Sequence, residues 1–523
     1  MEKSNKIISA YDAAQLIQDG DTVAIAGFVG AGMPEEILTA LENRFKETGT
    51  PTNLTVCNVG GVGNRKGGGL DRLAHEGLTK KVIGAYFNLN PKLQKMALSG
   101  EIEAYMFPLG VMSQLFREIA GGRPGVITHV GLNTFVDPRI EGIHLHEKYK
   151  NNDMLEVIQL GGRDWLWYKS FSVNVAIIRG TTADELGNMS MEKEISTYEV
   201  ISMATAAKRF GGKVIVQVER VATKHSLHPK YVKLPGVLVD AIVVGKPDNH
   251  RQTVKNLYHP AYSGEIRSSQ VEFTPAVFDQ RKVIGRRSAM ELKRGDYVNL
   301  GVGAPEFVAA VLGEENASDL IDFLIEVGTV GGTPGSGMDF GASFNADAHI
   351  DTPYMIDIFD GGILDISFLG FAQIDREGNV NVSKLGHRIP GVGGFINVTQ
   401  NAKRVVFCGT LTAEGCTTKY QNFQAFVEKE GPTKKLVNHV QQITFSSKDA
   451  RSKKQKVMYV TERCVFEMVP EGIQLIEIAP GIRLKEDILD QMEFEPLISP
   501  NLRGMDSKIF DPANGSLNLK AIL

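Results

Sequence analysis

The chain repeats one pattern of strand, glycine loop and helix in its two halves, and this repeat limits the folds that it can adopt. In the first copy, residues 20–27 predict a turn and a buried strand, and a glycine loop then runs to Pro34. The second copy is the tighter stretch from Gly295 to Pro305. An apolar pattern at helical spacing follows each proline, and proline is favoured at the first helical position. The repeat predicts two similar α/β halves.

A second matching pair of segments supports this duplication. Residues 183–188 follow the apolar run 173–178, and residues 374–379 follow the run 364–369. Both segments end in Gly-Asn, which predicts a strand, a turn and a second strand. Because strands alternate with helical patterns in each half, we expect mainly parallel sheets covered by helices.

The length of the chain also indicates two domains, because 523 residues exceed the size at which a single core stops growing. The stretch 262–280 is polar and has few periodic apolar positions, so it is a plausible linker with its boundary near Pro275. We therefore predict two similar, open, mainly parallel α/β domains, residues 1–275 and residues 276–523.

Charge and composition narrow the class of partner. The net charge is −4 and acids and bases are interspersed, so the sequence lacks the clustered basic residues that bind nucleic acid or an anionic membrane. The most apolar runs are only strand-sized, and the N-terminus lacks a signal core or a transit-peptide composition. Scattered cysteines form no metal-binding pattern: they are Cys57, Cys408, Cys416 and Cys464. We expect a soluble, cytoplasmic protein without structural zinc, whose partners are small molecules or copies of itself.

Two glycine loops, residues 27–32 and 301–303, fail to complete the GxGxxG pattern of dinucleotide-binding proteins. Proline and then an acid, Glu35 or Glu306, close each loop. An acid in the first turn of a helix would oppose a pyrophosphate bound there. Because the sequence also has no Walker loop, a nicotinamide or nucleotide triphosphate enzyme is the weaker hypothesis.

A third loop could offer backbone donors to a ligand. Gly391, Gly393 and Gly394 fall within four positions, after the strand-like residues 380–382 and before residues 396–398. Glycines let backbone N–H groups approach a ligand closely, as an oxyanion or phosphate cradle needs. A tight turn between strands explains the pattern equally well, so both interpretations stand.

Glu326 is the candidate nucleophile. It follows the apolar run 323–325 and precedes an uncharged, glycine-rich stretch that begins at Val327 and Gly328. A carboxylate placed this way is poorly solvated and has no cation near it in the sequence. Functional groups often have perturbed pKa values in such surroundings. The alternative is a carboxylate at a strand end facing water, and the local residues leave both open.

Seven segments together resemble the family I coenzyme A transferases, most closely the group of single-chain acetate/propionate CoA-transferases in which both halves are fused. They are residues 19–34, 98–105, 183–188, 299–306, 340–347, 459–466 and 478–482. The segments extend over nearly the whole chain. The resemblance implies an N-terminal half on the acyl and carboxylate side, and a C-terminal half that carries the catalytic glutamate and the glycine loop facing the coenzyme.

The resemblance also implies roles for particular residues. Glu326 occupies the position of the family's catalytic glutamate, although Val327 replaces a polar residue there. The loop with Gly391, Gly393 and Gly394 is similar to the family loop that faces the thioester and the coenzyme, and its N–H groups would stabilise the oxyanion.

The implied acyl pocket contains Phe28, Leu109 and Gly110. Relatives often carry glutamine in a Pro-Gln-Gly segment, where its amide helps to hold the developing oxyanion, but residues 108–110 of this chain are Pro-Leu-Gly. Leu109 cannot donate a side-chain hydrogen bond. Either backbone N–H groups alone hold the oxyanion in this chain, or its acyl pocket differs from that of relatives because its substrate differs.

The activity that this resemblance implies is transfer of CoA between a short-chain acyl-CoA and a free acid such as acetate, through a glutamyl-CoA thioester. It also implies a homo-oligomer and no metal or redox cofactor, since coenzyme A is a substrate. Two alternatives remain. One is an acyl-CoA hydrolase on the same fold, in which water resolves the glutamyl intermediate. The other is a non-catalytic metabolite-binding protein, because the same α/β architecture also serves effector-binding domains.

Overall fold

The computed structural model describes residues 6–268 and 276–523 of the chain. The predicted domain boundary at Pro275 lies outside the described residues. Within the described residues, no helix has both the length and the apolar character needed to cross a membrane.

The α-helices are numbered in chain order. Their bounds are α1 Ala10–Gln15, α2 Glu35–Thr48, α3 Pro91–Ser99, α4 Leu109–Ala120, α5 Val200–Arg209, α6 Gln280–Ala289, α7 Glu306–Glu314, α8 Thr352–Asp360, α9 Phe395–Asn401, α10 Ser447–Ser452 and α11 Leu519–Ile522.

The strands are numbered in the same way. The first group is β1 Thr22–Phe28, β2 Leu54–Gly60, β3 Thr79–Gly84, β4 Glu103–Met106, β5 Gly125–Thr128, β6 Leu155–Leu160, β7 Arg163–Lys169, β8 Val175–Arg179, β9 Thr182–Asp184, β10 Met189–Ser190, β11 Lys213–Val218, β12 Arg220–Ala222, β13 Val232–Leu234 and β14 Ala241–Val244. The second group is β15 Tyr297–Leu300, β16 Asp322–Ile325, β17 Thr329–Val330, β18 Thr333–Pro334, β19 Ser343–Phe344, β20 Ala348–His349, β21 Ile366–Gly370, β22 Gln373–Asp375, β23 Val380–Asn381, β24 Arg404–Cys408, β25 Thr412–Ala413, β26 Thr417–Gln421, β27 Gln424–Lys429, β28 Thr433–Lys434, β29 Leu436–Val437, β30 Lys456–Val460, β31 Cys464–Val469, β32 Gly472–Ile478 and β33 Leu497–Gly504.

The chain divides into two compact units that differ from the predicted linear halves. Unit 1 contains the described residues up to Ser268 together with Ile325–Asp357 and Ile389–Asn397. Unit 2 contains residues 276–324, Ile358–Arg388 and Val398–Leu523. Glu326 and the glycine loop at 391–394, which the sequence places in a C-terminal domain, therefore belong to unit 1. The loop belongs to unit 1 because Gly391 pairs with Tyr86, which follows β3 and is distant in the sequence.

Unit 1 is built on a parallel sheet of seven strands in the order β14-β11-β8-β1-β2-β3-β4. Strand β1 is buried along almost its whole length, as is typical of a parallel strand covered on both faces. Helices α2, α3 and α5 lie between strands of this sheet in the chain. The predicted mainly parallel α/β architecture is confirmed.

One edge of the unit 1 sheet positions the residues of interest. Strand β1 ends at Phe28, β2 ends at Gly60 and β3 ends at Gly84. Strand β4 is followed closely by Leu109, the first residue of α4. In open parallel sheets, ligands bind outside the carboxyl ends of the strands, so this edge is where a site is expected.

Both predicted strand-turn-strand segments are confirmed. In unit 1, β9 and β10 pair antiparallel, with Ala183 opposite Met189. In unit 2, β22 and β23 pair in the same sense, with Ile374 opposite Val380.

The helices after the two glycine loops begin one residue later than the sequence suggests. The prolines, Pro34 and Pro305, take the N-cap position, and α2 and α7 begin at the acids Glu35 and Glu306. An acid at this end complements the partial positive charge of the helix N-terminus.

Unit 2 contains a run of eight strands in the order β16-β15-β21-β24-β30-β31-β32-β33. The strands from β16 to β30 pair in parallel, whereas β31 pairs antiparallel with both of its neighbours. Its apolar core includes Val298, Phe323 and Phe368. Strand β16 leads directly into Glu326.

Candidate active site

Glu326 lies in a tight turn at the end of β16. The N–H of Gly328 donates to the carbonyl oxygen of Ile325 at 2.9 Å, which closes the turn around Glu326 and Val327. Gly328 has φ +110°, and a Cβ atom there would lie 1.9 Å from the carbonyl oxygen of Ile350, so only glycine fits. Glu326 is only 7% exposed. The predicted poor solvation is therefore confirmed, and the solvated strand-end alternative is wrong.

The glycine loop lies against this carboxylate. A Cβ atom added to Gly394 would lie 3.0 Å from Cγ and 3.1 Å from Oε1 of Glu326. Because glycine has no Cβ, the loop backbone comes close to the carboxyl group without a clash. The structure therefore brings together Glu326 and Gly394, which are far apart in the sequence.

Backbone hydrogen bonds hold the same loop and limit which N–H groups it can offer. The N–H groups of Val392 and Gly393 both donate to the carbonyl oxygen of Ala85 at 2.9 Å. In this conformation the Gly393 N–H is already bonded to Ala85, and its predicted role in binding the oxyanion or CoA stays a prediction. Within the described part of the chain, no acceptor is bonded to the N–H of Gly394. Gly394 is therefore the loop residue best placed to donate beside Glu326.

The loop also differs from a turn between strands. Phe395 donates its N–H to the carbonyl oxygen of Val392 at 3.1 Å, and helix α9 begins at Phe395. Gly391 has φ +102°, and a Cβ atom on it would lie 2.7 Å from both the carbonyl oxygen of Ala85 and the Cα of Tyr86. Gly391 thus permits close approach of two backbone segments, which is a structural role.

Leu109 and Gly110 contact the glycine-loop segment through their backbones. The N–H of Leu109 donates to the carbonyl oxygen of Gly393 at 2.9 Å. The N–H of Gly110 donates to Oδ1 of Asn397 at 3.1 Å. A Cβ atom on Gly110 would lie 2.4 Å from Nδ2 of Asn397, so the helix and this amide are in close contact. Leu109, which is 3% exposed, is therefore buried next to the loop that adjoins Glu326.

Phe28 occupies a different point on the sheet edge. It is buried at the end of β1, and its ring lies 5.8 Å from that of Phe340 between centroids. A Cβ atom on Gly341 would lie 2.8 Å from the Phe28 ring. Strands β2 and β3 separate β1 from β4, which precedes Leu109. The membership of Phe28 and Leu109 in one acyl pocket stays a prediction.

Two residues near the loop were not identified from the sequence. Tyr86, which is half-buried, pairs with Gly391 in an isolated bridge and lies 4.0 Å from where a Cβ of Gly393 would be. Its place just after β3, at the carboxyl edge of a parallel sheet, is a signal that could have found it. Asn397 had no such signal, because its amide meets Gly110 across 287 positions of the chain.

Two hydroxyl groups at the Glu326 turn were also missed. The hydroxyl of Ser196 donates to the carbonyl oxygen of Val327 at 2.5 Å, and that of Thr352 donates to the same oxygen at 3.1 Å. Both residues are buried. They come from a loop before α5 and from the first position of α8.

Carboxyl groups close to these hydroxyls in the sequence are strongly desolvated. Burial, with a smaller contribution from the charge of Asp351, raises the pKa of Glu199 to about 8. Burial also raises the pKa of Asp351, which accepts a hydrogen bond from the Thr197 hydroxyl at 2.6 Å. The Glu199 carboxyl is therefore mainly neutral at pH 7. It adds little negative charge to the segment that supports the Glu326 turn.

Comparison with known proteins supplies the family. The family model described as coenzyme A transferase matches residues 7–245. The chain is 46% identical to the caffeate CoA-transferase of Acetobacterium woodii, over 97% of each chain. It is 37% identical to the acetate CoA-transferase YdiF of Escherichia coli K12, over 97% of this chain and 96% of that one.

Solved structures agree with the sequence relatives. The apoenzyme of the acyl-CoA transferase YdiF from Escherichia coli O157:H7 matches with a TM-score of 0.93 at 35% identity, covering 99% of this chain and 98% of that one. A thioester complex of the same enzyme with CoA matches with a TM-score of 0.92 at 35% identity, covering 98% of this chain and 97% of that one. The similarity extends over essentially the whole length of each relative. The chain is therefore a CoA-transferase and belongs to the coenzyme A transferase family.

Proposed function

We propose that this enzyme transfers CoA between an acyl-CoA and a free carboxylic acid through a covalent thioester on Glu326. The observation that carries the proposal is the burial of the Glu326 carboxyl group in a glycine-closed turn against Gly394. A carboxylate suits this reaction because its mixed anhydride with an acyl group is nearly equal in energy to the anhydride formed with an incoming acid. The resemblance of the chain to relatives that act on acyl-CoA supports the same chemistry.

The proposed first half-reaction has two substitutions at carbonyl carbon. Glu326 attacks the thioester carbonyl, so that an O–C bond forms, the C–S bond breaks and CoA leaves as a thiolate. The thiolate then attacks the glutamyl carbonyl of the anhydride, which releases the first acid as a carboxylate and leaves glutamyl-CoA. A second carboxylate reverses both steps and leaves with the CoA. No proton or electron is gained or lost overall.

Gly394 is the donor that we assign to the oxyanion of these steps. Its N–H is not bonded within the described residues, and its Cα lies beside the Glu326 carboxyl group. A preorganised donor of this kind contributes about 2.7–4 kcal/mol to transition-state stabilisation in other enzymes. Contacts to the remote parts of the coenzyme would add binding energy that positions the thioester.

The acids that we propose are short-chain carboxylates such as acetate and propionate, consistent with the named substrate of the YdiF relative. The 46% identical caffeate CoA-transferase favours a second candidate, a planar aromatic acid. We further propose that the enzyme is a cytoplasmic homo-oligomer. It should need no metal or redox cofactor, because each step exchanges only carboxylate and thiolate groups.

An exchange assay tests the proposed function. We expect the purified enzyme to convert an acyl-CoA to acetyl-CoA only when acetate is present, with one free acid released for each acetyl-CoA formed. The panel would contain propionyl-, butyryl- and caffeoyl-CoA, each assayed with and without acetate. Release of free CoA in buffer without an acid acceptor, at a rate that matches exchange, would instead indicate a hydrolase.

A substitution at Leu109 tests the acyl pocket. If the pocket has become less polar to suit a more apolar acyl chain, Leu109→Gln should shift the ratio of kcat/KM toward acetyl-CoA and away from longer acyl-CoAs. One methylene in a pocket is worth about 1–3 kcal/mol in discrimination, which is large enough to measure. Steady-state rates with two acyl-CoAs of different length give the ratio.

Other outcomes of the Leu109→Gln experiment have distinct meanings. If backbone donors alone replace the lost amide, the new side chain should raise the rates for all acyl groups together, because it restores an oxyanion contact. Unchanged rates and an unchanged ratio would show that Leu109 does not face the thioester, and its assignment to the acyl pocket would then be wrong.

A further inference from the structure

The carbonyl group of Val327 is held by two hydroxyl groups from separate parts of unit 1. Ser196 Oγ lies 2.5 Å from this oxygen and Thr352 Oγ1 lies 3.1 Å from it. Val327 is 1% exposed, and both hydroxyl-bearing residues are 2% exposed, so water competes little for these contacts. A single donor would be enough to satisfy one buried carbonyl. Two donors from separate segments also restrain the peptide group between Val327 and Gly328, which is the second peptide group after Glu326.

The rest of the turn is fixed by the backbone. The N–H of Gly328 donates to Ile325, and the N–H of Ile350 donates to the carbonyl oxygen of Gly328, each at 2.9 Å. Rotation of the Val327 carbonyl would break both hydroxyl contacts and change the turn that carries Glu326. Because Gly394 leaves little space beside Cγ of Glu326, a changed turn would move the carboxylate relative to the loop.

Val327 itself cannot orient this turn. Its side chain is apolar and buried, so it makes no hydrogen bond of its own. The orientation must therefore come from neighbouring segments, and the two hydroxyl groups are the side chains that contact its carbonyl.

We propose that Ser196 and Thr352 are positioning residues that hold the Glu326 turn so that its carboxylate is aligned for attack on the thioester. The proposal rests on the proposed role of Glu326 as the nucleophile. A nucleophile needs near-attack geometry, and a displacement of about 1 Å can lower a rate about 100-fold. The two hydroxyl groups act through the turn and do not touch the reacting atoms.

A purely structural role makes a different prediction, and the chain provides a matched control. Thr134 is fully buried, and its hydroxyl donates to the carbonyl oxygen of Gly131 at 2.7 Å. Thr134→Val removes this bond and the bond that the hydroxyl accepts from the N–H of Val136 at 3.3 Å, without touching the Glu326 turn. Ser196→Ala likewise removes a donated bond and the bond that Ser196 Oγ accepts from the N–H of Tyr198 at 3.5 Å. If Ser196 and Thr352 served only to satisfy a buried carbonyl, their loss would affect stability as Thr134→Val does and would leave catalysis unchanged.

The experiment compares Ser196→Ala, Thr352→Val, their double variant and Thr134→Val with the unmodified enzyme. We expect the double variant to form glutamyl-CoA about 100-fold more slowly in a single turnover. The KM for acyl-CoA should change less than about threefold, because the contacts to the coenzyme remain. Thr352→Ser, which keeps the hydroxyl group, should retain near-normal turnover, and Thr134→Val should keep normal kcat.

A folded double variant with a single-turnover rate like that of Thr134→Val would overturn the inference. If the double variant does not fold, the two single variants test the inference instead. Each should form glutamyl-CoA about tenfold more slowly than the unmodified enzyme. Glu326→Ala separates this inference from the proposed function. Turnover by Glu326→Ala would refute the nucleophile assignment itself, whereas an inactive Glu326→Ala with a normal double variant would refute only the positioning role.

Discussion

Glu326→Ala is expected to lower kcat for CoA exchange by roughly 10⁴-fold or more, because removal of a covalent nucleophile leaves only the binding and oxyanion contributions. The remote contacts to the coenzyme remain, so the affinity for acyl-CoA should change little. Glu326→Gln is the control for shape, since it keeps the size of the side chain in this buried turn but cannot form the anhydride. Steady-state exchange with acyl-CoA and acetate measures the effect, and calorimetry checks that the variants are folded.

The result that contradicts this account is a folded Glu326→Ala or Glu326→Gln enzyme that exchanges CoA within tenfold of the normal rate. The nucleophile would then lie elsewhere. The buried carboxyl group in the turn after β16 would have only a structural role.

Gly394→Ala should lower kcat by about 100-fold while leaving the fold intact. The new Cβ would lie 3.0 Å from Cγ and 3.1 Å from Oε1 of Glu326, so the carboxylate or the loop must shift. The shift disturbs the alignment of the carboxylate, and it moves the Gly394 N–H away from the oxyanion, where loss of one donor costs about 100-fold or more in other enzymes. Single-turnover formation of glutamyl-CoA is the sensitive measurement.

Gly504→Ala is the matched control for this substitution. Gly504 lies at the end of β33 in unit 2, and a Cβ atom there would meet nothing closer than 4.0 Å. It should therefore retain normal exchange. Equal rates for Gly394→Ala and Gly504→Ala would show that the loop does not act on the Glu326 carboxylate during turnover.

Local patterns were sufficient to predict the features that depend on neighbours in the chain. The buried, parallel strand β1 followed from a short apolar run bounded by glycine. Residues 323–325 and the glycines after Glu326 indicated that its carboxylate is buried, as it is, but they also left a solvated strand end open. The paired turns around Ala183 and Ile374 followed from their Gly-Asn signals.

Features that depend on distant contacts could not be predicted. The division into compact units failed to follow the linear halves because the 389–397 segment bonds to the chain after β3, through Ala85. One of the two interpretations made the loop a turn between strands, but residues 396–398 lie in α9, since a short apolar run does not distinguish a strand from a helix.

The roles of the individual glycines show the same limit. Sequence alone gave Gly391, Gly393 and Gly394 as equivalent donors. The structure distinguishes them because the Gly393 N–H donates to the carbonyl oxygen of Ala85, whereas Gly394 lies against Glu326. The hydrogen bond from the Ser196 hydroxyl to the Val327 carbonyl oxygen joins residues 131 positions apart, so no local sequence pattern predicts it.

Mass spectrometry of the enzyme incubated with acyl-CoA can show whether Glu326 carries CoA during turnover. We expect the peptide containing Glu326 to gain the mass of CoA through a thioester. Hydroxylamine should trap the activated carboxyl group at the same residue, and acetate should remove the label. An enzyme in active turnover with Glu326 unmodified, or with the CoA attached to a different residue, would contradict this expectation.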